Sequence, residues 1–134
     1  MDSVGYVDKL VWQKLEFKAG QRVLVVDEPK DYSQIISGHP DVHFVNSKDL
    51  LKVDMLHVFA IKASTLSIHF TKYSEWVVTG GVVWVSWPKK ISNVETDITE
   101  QTLRDIILPL GWVDTKVCAV SATWSGLKFL RRKK

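Results

Sequence analysis

Apolar residues recur along this chain in two rhythms, and the alternation between them predicts its architecture. Val4, Val7, Leu10, Val11 and Leu15 fall at three- and four-residue intervals, which predicts a helix over Ser3 to Leu15. Beyond Gly20, Arg22 to Asp27 is a nearly continuous β-branched run ending in acid, as expected of a parallel strand covered on both faces. Tyr32, Ile35 and Ile36 predict a short helix, closed by Gly38 with Pro40 just past it. Val42 to Asn46 and Met55 to Ala63 read as the second and third strands.

Ser64 or Thr65 can cap the next helix, whose Leu66, His69, Phe70, Tyr73, Trp76 and Val77 share one side before Gly80-Gly81 stops it. Val82 to Trp87 is a fourth strand, followed by a loop from Pro88 to Asp97. Asp97 and Glu100 form a capping-box-like start to a last helix with Leu103, Ile106, Ile107 and Leu110 on its buried stripe. Lys116 to Trp124 and Leu127 to Arg132 are two strands joined at Ser125-Gly126, a connection that demands an antiparallel hairpin. Strands alternating with helices predict one α/β domain over residues 1–134. It is a three-layer open sheet, mostly parallel, with a C-terminal antiparallel hairpin and strand order 2-1-3-4-6-5. Ligands of such sheets gather at the carboxyl ends of the strands where the order reverses. Here that crevice lies between the first and third strands, bounded by Asp27-Glu28, Lys62-Ala63 and, one strand away, Trp87 to Lys90.

Composition agrees with a single soluble core: 134 residues, 46% hydrophobic and 25% charged. The formal charge of +3 resides in the tail, since Arg131, Arg132, Lys133 and Lys134 hold four of the 18 basic residues and the other positions carry 14 against 15 acids. A body so near neutrality has no broad field for polyanions, so nucleic acid is not an expected partner. Met1 to Gly5 lack a basic-then-apolar leader and no stretch approaches a membrane span, which makes a cytoplasmic protein the default. Cys118, the only cysteine, is expected as an inert thiol within a strand. Metal binding has little support: Pro40 prevents His39 and His43 from aligning on a helix, and His57 and His69 stand alone.

Leu15 to Asp27, the third strand and Thr79 to Trp84 resemble the first, middle and post-helix strands of class I methyltransferase-like Rossmann domains, and the hairpin is typical of that group. More narrowly, Trp84 to Lys90, Thr96 to Glu100, Lys116 to Val120 and Thr123 to Lys128 resemble a family of short bacterial proteins. That family is filed as domain of unknown function three-zero-five-two, and the resemblance spans nearly the whole chain. It implies a methyltransferase-like Rossmann fold and carries no assigned activity with it. Methyltransferases follow the first strand with a glycine-rich loop that lets the backbone approach the cofactor. This chain has Asp27-Glu28-Pro29-Lys30-Asp31-Tyr32 there, with no glycine before Gly38. Pro29 removes a backbone donor and the adjacent carboxylates repel phosphate, so a dinucleotide is not expected; S-adenosylmethionine, although not phosphorylated, loses its usual seat, and no cofactor is expected.

The expected function is therefore a non-catalytic binding domain for a small anionic ligand on a degenerate methyltransferase-like scaffold. Lys89 and Lys90 would attract the anion, Trp87 would form a wall beside Pro88, and Asp27 and Glu28 would shape the far side. A plainer reading of the same residues puts Trp87 in the core and both lysines in water. The alternative is an S-adenosylmethionine-dependent methyltransferase with an atypical cofactor loop, Asn46 lying near the ribose position and Asp27 or Glu28 making a polar contact. A third reading is an interaction module, because six tryptophans are many for a small core and an uncovered sheet edge invites a homodimer.

Overall fold

The computed structural model describes residues 9–49 and 52–133. Six strands form one sheet in the order β2-β1-β3-β4-β6-β5, as the sequence predicts. β1 (Arg22–Val26), β2 (His43–Phe44), β3 (Val53–Phe59) and β4 (Val77–Pro88) are parallel to their neighbours among themselves. β6 (Trp124–Arg131) runs antiparallel to β4 and to β5 (Trp112–Ala119). The helices are α1 (Val11–Lys14), α2 (Tyr32–Ile35), α3 (Ala63–Tyr73) and α4 (Glu100–Ile107).

Alternate residues of the central strands feed two separate apolar layers, which is why these strands are apolar on both faces. Leu56, Val58 and Val85 pack against Leu66 and Phe70 of α3 and Leu103 of α4. On the opposite face Val23, Met55 and Trp84 pack with Leu15, Phe17 and Ile36. Trp84 is fully buried, and its indole N–H donates to the Leu15 carbonyl over 3.0 Å, tying the segment after α1 onto β4. None of the six tryptophans is exposed: Trp84, Trp87 and Trp112 are buried and Trp12, Trp76 and Trp124 half-buried. The core holds more aromatic volume than its length suggests, because both layers are used. No described helix is long and apolar enough to cross a membrane.

The element boundaries depart from expectation where glycine was read as punctuation. The first predicted helix is helical only at Val11–Lys14 among the described residues, and its Ser3 to Asp8 part lies outside them. Gly80-Gly81 does not end a helix but sits inside β4. Val53 pairs with Val77 and Met55 with Val82, so that Val78 to Gly81 bulge opposite Asp54. A Cβ on Gly81 would lie 2.6 Å from Val77 Cγ1 and 2.9 Å from the Asp54 carbonyl, so the bulge requires glycine there. The hairpin turn likewise lies before Trp124, where the Ser121 hydroxyl accepts from the amides of Thr123 and Trp124, each over 3.1 Å. Gly126 is within β6 opposite Ser86, and a Cβ there would stand 2.9 Å from Val120 Cγ2. Capping is also reassigned: Thr99, not Asp97, caps α4, accepting from Thr102 N over 3.1 Å. Asp97 instead reaches across to α3 and accepts from Ala63 N over 2.8 Å.

Gly126→Ala forces a methyl into a stiff β-branched neighbour and is expected to cost ~1–3 kcal/mol, read as a lower urea midpoint at unchanged slope.

Candidate functional site

β1 leaves the sheet through Asp27, which takes a left-handed conformation at φ 58°. That conformation costs a non-glycine residue free energy, and it turns the chain sharply at the strand end as a glycine would. Pro29 then accepts from Tyr32 N over 3.0 Å and starts α2. One strand away, β3 ends at Phe59 and Ala60 to Lys62 lead into α3, with Ala60 N donating to the Ser86 carbonyl over 3.0 Å. Between these two ends, where the strand order reverses, lies a cavity of about 360 Å³ lined by Asp27, Phe59, Lys62, Thr65 and Trp124 together with Ala60 and Ile61. A carboxylate and an ammonium thus share one cavity. The floor is aromatic: Trp124 meets Phe59 edge-on at 5.1 Å, and Phe59 stacks on His57 at 4.3 Å. The Asp27 carboxylate is 59% exposed; His69 Nδ1 stands 3.4 Å from it and makes no hydrogen bond.

A second cavity of about 270 Å³ opens on the other side of the same turn, where Glu28 lines it with Tyr32, His39 and Phe44. The neighbouring acids Asp27 and Glu28 therefore serve different spaces. Burial first, and the Glu28 carboxylate second, push the Tyr32 hydroxyl well above its ordinary titration range.

The remaining expected site residues are placed elsewhere. Trp87 is 7% exposed and packed in the α3 and α4 layer, so it walls no ligand. The Trp87-Pro88 bond is trans and Pro88 is buried opposite Trp124. Lys89 N donates to the Thr123 carbonyl over 2.8 Å, and Lys90 opens an exposed single turn, Lys90–Ser92. Neither lysine lines either cavity. The pattern puts Phe59 inside the third strand and Thr65 at a helix cap, and a hairpin turn at Ser125-Gly126 puts Trp124 at the end of the fifth strand, so none is legible as a site residue. Trp124 opens β6 instead, at the same edge as Pro88. Asn46 Oδ1 accepts from Lys48 N over 2.8 Å and shapes the turn after β2. Burial raises the Cys118 thiol, consistent with an unreactive side chain.

No family model matches the chain, and no curated protein matches it in sequence. Solved structures similar to it include a ribosomal protein L11 methylase from Lactobacillus delbrueckii subsp. bulgaricus. That likeness has TM-score 0.58 at 12% identity and covers 92% of this chain and 76% of the other. A DhpI–SAH complex gives TM-score 0.58 at 13% identity, covering 84% and 78%. Aeropyrum pernix fibrillarin with natively bound S-adenosyl-L-methionine gives TM-score 0.54 at 11% identity, covering 94% and 70%. The fold is thus a Rossmann-like α/β fold of the methyltransferase type. These neighbours overturn the expectation of a non-catalytic domain for a small anionic ligand. The physical error lay at β1. The turn needs left-handed backbone rather than glycine itself, and Asp27 supplies it.

His57 is fully buried in β3, its Nε2 2.7 Å from the Ser86 hydroxyl and its Nδ1 without a partner. Burial disfavours the imidazolium and lowers its pKa from 6.5 to about 3. The unfolded chain takes up this proton below pH 6.5 and the folded protein only near 3, so the stabilisation present at neutral pH is lost as pH falls between those values. His57→Gln is expected to remove ~1.4 kcal/mol of pH dependence per unit from pH 6.5 to about 4.5, measured by denaturant unfolding at successive pH values.

Proposed function

We propose that this protein is an S-adenosylmethionine-dependent methyltransferase that seats its cofactor in the cavity between the carboxyl ends of β1 and β3. The observation that carries this reading is the pair of opposite charges, Asp27 and Lys62, lining one cavity at the point where the strand order reverses. The amino-acid end of the cofactor has an ammonium and a carboxylate, and these two side chains match that pattern in sign. The cavity volume of about 360 Å³ is within the range of small-molecule sites. The likeness to a methylase and to a fibrillarin with natively bound S-adenosyl-L-methionine supports the same reading.

When bound, the cofactor supplies an electrophilic methyl group on a positively charged sulfur. The chain's own part is to bind, orient and keep the site dry. Asp27 accepts from the ammonium and adds negative charge near a cofactor of net positive charge. Lys62 donates to the carboxylate, and the Thr65 hydroxyl adds a neutral polar contact on the α3 side. Phe59 and Trp124 present apolar rings that exclude water, the nucleophile competing with the acceptor. No phosphate-binding group is required.

Isothermal titration of the full chain with S-adenosylmethionine is expected to give saturable binding. Asp27→Gly keeps the left-handed turn and removes only the carboxylate, so it is expected to stay folded and to bind the cofactor roughly tenfold or more weakly. Lys62→Gln is expected to lose affinity similarly. No binding at millimolar cofactor, or wild-type affinity in Asp27→Gly, would end this assignment.

A further inference from the structure

The cavity on the Glu28 side of the turn shares no lining residue with the proposed cofactor site, and its walls have a chemistry of their own. Two of its rings meet Phe44 nearly at right angles: Tyr32 lies 6.5 Å from it at 82°, and His39 lies 5.6 Å from it at 86°. His39 Nδ1 donates to the Pro40 carbonyl over 2.6 Å, which fixes that ring's orientation. Phe44 is 47% exposed on a two-residue edge strand, so a large apolar side chain is left open to whatever enters. Glu28 adds a carboxylate, and no lysine or arginine is among the residues that line the space. The Glu28 charge also reaches Tyr32, whose proton it helps retain.

Rings set at right angles around a small space, with a carboxylate at one side, favour a positively charged guest. An aromatic face carries partial negative charge and attracts a cation, most strongly one that is weakly hydrated. An anion would meet the Glu28 carboxylate without a counter-charge, and a neutral guest would gain no charge–charge attraction from it. Val25, Ile36 and Val45 add aliphatic surface that suits methyl groups better than N–H donors, and Ser33 adds a neutral polar residue. The volume of about 270 Å³ is head-group sized, below the range of drug-sized sites. We propose that this cavity binds a small methylated ammonium group, held by the Glu28 charge and by the rings of Tyr32, His39 and Phe44. This site is separate from the one between β1 and β3 and does not depend on the cofactor assignment.

The test is a titration of the isotopically labelled full chain with choline, followed by nuclear magnetic resonance. A parallel titration uses 3,3-dimethylbutan-1-ol, which has the same shape with carbon in place of the charged nitrogen. Choline is expected to shift the Phe44 and Tyr32 resonances and to bind at least roughly tenfold more tightly than the neutral isostere. Phe44→Leu and Glu28→Gln, both at exposed positions, are expected to stay folded and each to weaken choline roughly tenfold. Saturating S-adenosylmethionine is expected to leave choline binding unchanged, because Asp27 and Glu28 line different cavities. The proposal is overturned by any of three results: no shift up to about 50 mM choline, equal affinity for the isostere, or mutual exclusion with S-adenosylmethionine. A chain that binds choline but not S-adenosylmethionine would leave this inference standing and remove only the cofactor assignment.

Discussion

β3 and β4 are covered by side chains on both faces, and that constraint decides where this protein can do chemistry. Leu56, Val58 and Val85 are committed to one apolar layer and Met55 and Trp84 to the other, so the middle of the sheet has no surface left to offer. A parallel sheet buried in this way meets solvent only through its strand ends. The cavity between β1 and β3 follows from this, as does the position of each residue lining it. Asp27 is the first residue past β1, Phe59 the last of β3 and Trp124 the first of β6. Inside the sheet His57 Nε2 and the Ser86 hydroxyl meet at 2.7 Å, which serves one ring nitrogen and leaves Nδ1 unpartnered.

The turn at Asp27 converts that general constraint into a particular site. A left-handed residue at the strand end swings the chain so abruptly that two successive acids are parted, Asp27 facing the cavity with Lys62 and Glu28 the one with Phe44. A glycine would make the same turn without strain and without charge. Here the chain accepts strain at one residue and gains a carboxylate at the mouth of the crevice.

The topology was legible because it follows from rhythm. Continuous apolar runs such as Arg22 to Asp27 and the stripe of Leu103 and Ile107 mark the elements, and right-handed crossovers limit the orders in which they can pair. Site residues were legible only where strand ends were correctly placed. Asp27 follows a strand end that the pattern marks to within one residue, whereas the pattern puts Lys62 inside a third strand that in fact ends at Phe59, and Trp124 was misplaced with the hairpin turn. Gly80-Gly81 and Gly126 caused the boundary errors for one shared reason. Glycine signals a turn locally, but in this protein it answers a crowding problem set by Val77, Asp54 and Val120, which are distant in sequence or unreadable as neighbours. Trp87, Lys89 and Lys90 failed as a group because a strand end facing the crevice does not oblige its side chains to enter it.

The bond from Ala63 N to Asp97 has a consequence for the start of α3. The start of a helix beside a strand end is where many α/β proteins hold a phosphorylated group, using backbone amides that no residue of the helix itself can satisfy. In α3 one of those amides is already occupied, at 2.8 Å, by a carboxylate from a distant loop, and Thr96 anchors that loop to the Ile61 carbonyl over 2.6 Å. The protein thus supplies its own counter-ion at this doorway. A phosphate brought to this helix start would meet a tethered acid, with the Ala63 amide already engaged.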